Sequence, residues 1–380
     1  MSKKELWQEN CKNWRNMLIK REKLYITPNI RLTVIREEYS QDSFFYFNLH
    51  VARHDELVAA LNYLSGYLAK NKLEILMAFC FGSGKIPGRP EAGILNPLTA
   101  LYHGTAASSV GFQLICTDSK HVALRKSTGD LCVKSLNHFG TELYFVNNLV
   151  PHRGLDNYGQ AYSVLQALKD ILREYDIGFK GLARTWLYLN DILEWYDELN
   201  RARTDFFNEE EIFDAVIPAS TGVGLSNISG KSLLLNAFLV KNMENNSIIR
   251  MLDSPLQCPA TAYKSSFSRA IEIRHKASKR MLISGTASID RTGETLHYDN
   301  IMAQISHTME VVSSIMSKEE YKWGNMVRAI AYFRDMGHAG HFIEYCRSNQ
   351  IDSSYILIAG GTICRDDLLF EIELDAVKAI

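Results

Sequence analysis

No C-x-x-C pair occurs among the seven cysteines of this sequence, which points to reduced thiols in a cytosol and away from a disulfide framework or a zinc site. No apolar run reaches the length of a membrane span, and the opening Met1-Ser2-Lys3-Lys4-Glu5-Leu6-Trp7 carries no apolar signal core. The expectation is a cytoplasmic protein with no membrane partner. Charge of neither sign is in excess, since 42 Lys and Arg stand against 43 Asp and Glu for a formal charge of -1. That balance argues against nucleic acid or an acidic membrane as the main partner and leaves room for local basic pockets. What is present is ordinary: 380 residues at 46% hydrophobic and 22% charged can build a large core in two or three units.

Residues 1–137 read as an α+β domain. Phe44 to Val51 and Phe112 to Cys116 have strand composition, and Asp55 to Leu73 reads as a helix with Leu57, Ala60, Leu61, Leu64 and Leu68 on one side. Phe81-Gly82-Ser83-Gly84-Lys85-Ile86-Pro87-Gly88-Arg89-Pro90 is a glycine-rich loop, read as a turn rather than a phosphate cradle. From about residue 138 the chain repeats itself, giving units over 138–250 and 251–380. Leu182 to Asp191 aligns without gaps on Met326 to Asp335, with Arg, Tyr and Asp at matching places. An amphipathic helix precedes each copy, with Val164, Leu165, Leu168, Ile171 and Leu172 in one and Ile301, Ile305, Met309, Val312 and Met316 in the other. A second helical segment and an apolar strand follow each copy. Aligning the closing strands Ser232–Phe238 and Asp367–Glu373 sets Asn236 where Glu371 stands. Two β-α-β-α-β units with one acid between them suit either an asymmetric site at a pseudo-symmetric interface or a drifted scaffold.

The closing stretch alternates Leu368, Phe370, Ile372 and Leu374 with Leu369, Glu371, Glu373 and Asp375, the period-2 pattern of a strand with a carboxylate-bearing face. That face is either a solvated edge or the wall of a site. In the helix after Asn190 and Asp191, the stripe Ile192, Trp195, Leu199, Ala202 and Phe206 has Tyr196 and Arg203 within or beside it. In Ala262 to Ile273, strand alternation would place Tyr263, Phe267, Arg269, Ile271 and Ile273 on one face. An arginine aimed at apolar surroundings needs an anion, either an internal acid or a ligand. Two such arginines with two tyrosines suit a small, dianionic, partly apolar substrate, and a carboxyl in a dry pocket beside it would have a raised pKa and could donate a proton. Gly224 to Ser232 resembles a Walker A loop but has five residues between its glycines, and His338-Ala339-Gly340-His341 lacks a third metal ligand.

These residues resemble known families. The repeat unit resembles the RidA (YjgF/YER057c/UK114) fold, and the combination resembles the chorismatase family built on it. The matching stretches run from Arg184 to Ile192, Asn200 to Arg203, Pro218 to Gly224, Ser254 to Gln257 with Tyr263 and Phe267 to Ala270, Ser284 to Ile289, and Cys364-Arg365 through Glu371-Ile372-Glu373. The resemblance implies an α+β fold of tandem RidA-like repeats behind an N-terminal α+β domain. It further implies cleavage of chorismate with release of pyruvate, and neither metal nor organic cofactor. Glu371 then corresponds to the catalytic glutamate, Arg203 and Arg269 to the residues holding two carboxylates, and Tyr196 and Tyr263 to the lining. Cys364 resembles the branch that forms 3-hydroxybenzoate, against a branch that hydrolyses chorismate to a dihydroxycyclohexadiene acid. Lys264-Ser265 and Asp290-Arg291-Thr292 depart from the family pattern. A RidA-type imine deaminase is the second reading, weakened by Ser353-Ser354-Tyr355 where those proteins carry an arginine, and a non-catalytic small-molecule binder is the third. RidA proteins are trimers, so either a trimer or a monomer that fills that arrangement internally is expected.

Overall fold

The computed structural model describes residues 17–82, 95–104, 109–242 and 248–380. Most of the glycine-rich loop, from Ser83 onward, lies outside them. Three sheets organise the chain. The first contains β1 (Leu18–Thr27), β2 (Ile30–Glu38), β3 (Ser43–Val51), β4 (Glu74–Gly82), β5 (Thr99–Tyr102) and β6 (Val110–Thr117), with α1 (Leu57–Lys70) between β3 and β4. The second contains β7 (Val122–Thr128), β8 (Leu131–His138), β9 (Thr141–Leu149), β10 (Leu182–Leu189), β11 (Ala219–Gly224) and β13 (Leu233–Asn242). Its helices are α2 (Asn157–Glu174) and α3 (Ile192–Glu209), and the short β12 (Ser226–Asn227) crosses to the edge of the first sheet at β5. The third contains β14 (Ile248–Leu252), β15 (Ala270–Arg274), β16 (Ser278–Ala287), β17 (Met326–Phe333), β18 (Leu357–Gly360) and β19 (Phe370–Ala379), with helices α4 (Ile301–Lys318) and α5 (Ala339–Ser348). The second sheet thus begins at Val122, upstream of the division expected at 137/138, because a short antiparallel meander has no counterpart in the repeat alignment that set that division.

The strand orders β1-β2-β3-β6-β4-β5, β7-β8-β9-β13-β10-β11 and β14-β15-β16-β19-β17-β18 are one topology written three times. The N-terminal domain is therefore a third copy of the unit. The helices form where the sequence is amphipathic: Leu57, Ala60, Leu61, Leu64 and Leu68 are the buried face of α1, and the expected stripes of α2, α3 and α4 are likewise buried.

Register fixes which residues correspond. Phe79 pairs with Gln113, Trp186 with Asn236 and Ile330 with Glu373, so these three pairs are equivalent. One step along, Phe81 pairs with Gly111, Tyr188 with Leu234 and Tyr332 with Glu371. The counterpart of Glu371 is thus Leu234, and Asn236 corresponds to Glu373. The alignment of closing strands was two residues out, a shift that alternation cannot detect because it leaves every side chain on its own face. Equivalent residues of β4, β10 and β17 converge on a common axis: the Phe81 ring lies 6.3 Å from Tyr188 and 6.0 Å from Tyr332, and Phe79 lies 5.7 Å from Trp186.

Candidate active site

A cavity of about 400 Å³ opens at the junction of the second and third sheets, and all six residues singled out from the sequence border it: Tyr196, Arg203, Tyr263, Arg269, Cys364 and Glu371. Tyr196, Asn200 and Arg203 come from α3, where spacings of four and three residues put them on one face. The first turn of this helix is offset by non-helical dihedrals at Trp195, whose indole N–H donates to the Asn190 carbonyl over 2.7 Å. Asp191, at the N-cap, takes φ 52° and makes no side-chain capping bond. The segment 263–269 is not a strand: Tyr263 ends a short 3-10 turn over Ala260–Tyr263, and β15 starts at Ala270. Tyr263, Phe267 and Arg269 still converge, because the loop folds back over the cavity; the Arg269 guanidinium lies 5.3 Å from the Tyr263 ring centroid and 5.7 Å from that of Phe267.

The carboxylates lie on β19, which runs between β16 and β17 in the middle of the third sheet. Glu371, Glu373 and Asp375 are all buried, so the acid-bearing face is not a solvated edge. Glu373 accepts from Arg184 at 2.7 Å, from the Trp186 indole at 3.0 Å and from Arg328. The recurring arginines of the two repeats thus meet on one carboxylate. Burial opposes ionisation of Glu373, but the Arg328 and Arg184 guanidiniums outweigh it and take its pKa down to about 2. Glu371 has no such partner. Burial and the neighbouring Glu373 charge push it up to about 8, against a weaker pull from Arg184.

Around Glu371 the site is shaped closely. A Cβ on Gly285 would stand 2.0 Å from the Glu371 carboxyl oxygen, so the acid lies over bare backbone. The Gly285 N–H donates to Thr221 Oγ1 at 3.1 Å, and Arg184 donates to the same oxygen at 3.0 Å. Burial pushes the Cys364 thiol up to about 12, the Tyr263 phenol up to about 12, and the Tyr196 phenol far above its ordinary value, so all three are neutral donors near pH 7. Burial lowers the Arg203 pKa, offset in part by Tyr196 and Tyr263; its guanidinium donates to the Ser266 carbonyl. Arg269 donates through Nε to the Cys258 carbonyl at 2.9 Å, while its Nη2 is buried without a hydrogen-bond partner among the described residues. Among the described residues neither guanidinium forms an ion pair with a carboxylate. Two buried cations without an ion pair among the described residues give the cavity the chemistry to hold an anion.

A solved chorismatase superposes on the chain with a TM-score of 0.60 at 18% identity, covering 80% of this chain and 92% of that one. The chain has the fold of a chorismatase. A putative endoribonuclease L-PSP from Entamoeba histolytica aligns with 34% of this chain and 100% of its own length, at TM-score 0.30 and 19% identity. A RidA from an Antarctic Psychrobacter aligns with 33% of this chain and 98% of its own, at TM-score 0.28 and 18% identity. No protein-family model matches the sequence, and no curated protein does.

Several residues of the site fall in the matching stretches but were given no role from the sequence. Asn200, whose buried Oδ1 has no hydrogen-bond partner among the described residues, lies between Tyr196 and Arg203 on the cavity face of α3. Arg365 borders the cavity beside Cys364, stacking 5.3 Å from the Tyr263 ring and donating to the Gly293 carbonyl at 2.7 Å. Glu373 had a signal that went unused: the arginine repeated at 184 and 328 demanded a buried acid, and the next acid along the strand from Glu371 supplies it.

Proposed function

We propose that this protein cleaves the enolpyruvyl ether of chorismate, releasing pyruvate. The observation that carries the reading is a buried carboxyl, Glu371, bordering one cavity with two arginines that have no ion pair among the described residues. With a pKa pushed up to about 8, Glu371 holds its proton at neutral pH and faces the space where a substrate would lie. Arg203 and Arg269 bind the two carboxylates of the substrate, with Tyr196, Tyr263 and Asn200 as neutral hydrogen-bonding lining. Glu371 protonates the methylene carbon of the enol ether, and the resulting oxocarbenium ion is captured by water or by a neighbouring ring hydroxyl. Collapse of the adduct breaks the ether bond and frees pyruvate. The acid is the main catalytic demand, and no metal or organic cofactor enters the steps. Capture by the ring hydroxyl gives a cyclic ketal; with Cys364 bordering the ring, loss of the proton at ring carbon 3 with cleavage of the bond from ring carbon 4 to oxygen aromatises the ring, and collapse of the remaining hemiketal gives 3-hydroxybenzoate plus pyruvate, which together account for every atom of chorismate.

The test is incubation of purified protein with chorismate beside the Glu371→Gln variant, following pyruvate and resolving the ring product by chromatography. Pyruvate with 3-hydroxybenzoate, both lost in the variant, is the expected result. Pyruvate with a diene diol would keep the cleavage and discard the product branch, and no pyruvate from the wild-type protein would overturn the reading.

A further inference from the structure

The threefold repetition places three pseudo-equivalent junctions in one chain, and they have met different fates. Between the first and second sheets the space is closed by a polar cluster: Asn236 Nδ2 donates to Thr99 Oγ1 at 2.8 Å, Thr99 donates to Asn148 Oδ1 at 2.7 Å, and the Asn148 N–H donates to Asn236 Oδ1 at 2.7 Å. Between the third and first sheets a second cavity remains, about 430 Å³ against about 400 Å³ for the candidate active site. Volumes of this order suit a small ligand.

Strand register defines its floor. Tyr25 pairs with Arg31, Arg31 with His50, His50 with Gly111 and Gly111 with Phe81, so these five form one row across the first sheet. Residues in such a row share a face. The corresponding row of the third sheet contains Tyr332, Glu371 and Ala287. Gly111 therefore occupies the place of the acid, and Leu357 fills the space: a Cβ on Gly111 would stand 2.8 Å from Leu357 Cδ1. The proton donor is gone, yet charge is present, since Arg31 and His50 are neighbours in the row and both border the cavity. Neither side chain makes a hydrogen bond or ion pair with another described residue. The Arg31 charge and partial burial lower the pKa of His50, burial being the larger effect. Opposite them, Met336 and Ile343 of the α5 region present apolar surface that is 38% and 47% exposed at the rim.

We propose that this junction is a second, non-catalytic binding site for a small carboxylate with an apolar ring, its carboxylate on Arg31 and His50 and its ring against Phe81, Met336 and Ile343. The inference does not depend on the reaction proposed for the first cavity. An anion on Arg31 lifts the opposing charge from His50 and favours its imidazolium form, so occupancy is reported by a rise in the His50 pKa.

The probe is cyclohexanecarboxylate, with its uncharged primary amide as control. In the wild-type protein, NMR titration of the histidine ring signals, with His50 assigned through His50→Gln, is expected to show the His50 pKa rising with the acid and unmoved by the amide. Calorimetry on an Arg203→Met/Arg269→Met background, with the candidate active site disabled, is expected to keep one binding event. Adding Arg31→Met should weaken that event at least about tenfold, the loss typical of a charge-assisted hydrogen bond. Ile343→Trp, which fills the cavity at its exposed rim, should abolish it without touching Arg31. A His50 signal indifferent to the acid would overturn the proposal whatever the variants do. So would binding that survives Arg31→Met and Ile343→Trp, or equal binding of acid and amide.

Discussion

Glu371 and Glu373 stand two residues apart on the same face of one strand, and their surroundings drive them in opposite directions. Glu373 has two guanidiniums and an indole and titrates at about 2; Glu371 has burial and a like charge and titrates at about 8. If Glu371 acts as the acid, turnover under saturating substrate is expected to be flat on the neutral side and to fall tenfold per unit of pH above about 8, read from the pH profile of kcat. The same pair sets the stability of the fold. A carboxyl whose folded pKa lies above its unfolded value contributes stability that is whole below the unfolded pKa and lost as pH rises through the folded one. Glu371 should therefore weaken the fold between about 4.5 and 8, and Glu371→Gln should be less alkali-sensitive than the wild type in denaturant melts. Glu373 has the opposite sign: its contribution is present above about 4.5 and lost as pH falls toward 2.

At the scale of elements, the site is made by β16 passing under β19 with no side chain at residue 285. In Gly285→Ala the new methyl would occupy the position of a Glu371 oxygen, 2.0 Å away, and the acid would have to turn from the cavity. The expected outcome is a fall in kcat of about a hundredfold or more with little change in KM, the effect of a misplaced catalytic group rather than of lost binding. Much at this scale was legible in the sequence. The buried stripes of α1 to α4 follow from 3.6-residue periodicity, and Tyr196 and Arg203 follow from the same period. The loop over 263–269 was not legible, because apolar and polar residues alternate there by chance and no turn signal marks the bend before Ala270. The equivalence of Asn236 and Glu371 failed for a different reason: period-2 patterns determine which face a residue takes but not its register along the partner strand. The first copy of the unit was hidden because its axis positions are Met77 and Phe81 where the other copies keep Arg184, Tyr188, Arg328 and Tyr332, so the most recognisable residues of the repeat are missing from it.

At the scale of the whole molecule, Glu373 joins two units, since it binds Arg184 from the second and Arg328 from the third. Replacing it with Gln leaves two buried guanidiniums sharing the single Asp375 carboxylate, 3.7 Å from each, a loss toward the lower end of the usual ~3–5 kcal/mol for breaking a buried ion pair. The same change removes the like charge that raises Glu371 and leaves Arg184 beside it. The alkaline limb of the Glu371→Gln-sensitive activity should then move to lower pH in Glu373→Gln. A variant that is destabilised but keeps its pH profile would show that the two carboxylates are not electrically coupled.

The three junctions of the chain also bear on assembly. Arg184 donates to the Ile283 carbonyl at 2.7 Å across the second and third units, Asn48 to the Tyr355 carbonyl at 2.8 Å across the third and first, and Asn147 to the Leu76 carbonyl at 3.2 Å across the first and second. Each unit thus uses both of its interfaces within one chain, and the outer strands β1, β7 and β14 lie at the far edges of their sheets. Among the described residues the three repeated junctions are all formed within one chain, so none of them is left to recruit another copy. The expected species in sedimentation or light scattering is therefore a monomer of 43.2 kDa across the micromolar range. A trimer of 43.2 kDa chains would mean that the internal junctions do not complete the symmetry and that another surface of the molecule associates. If the monomer is found, both cavities belong to a single chain, and variants in one can be read without mixing subunits.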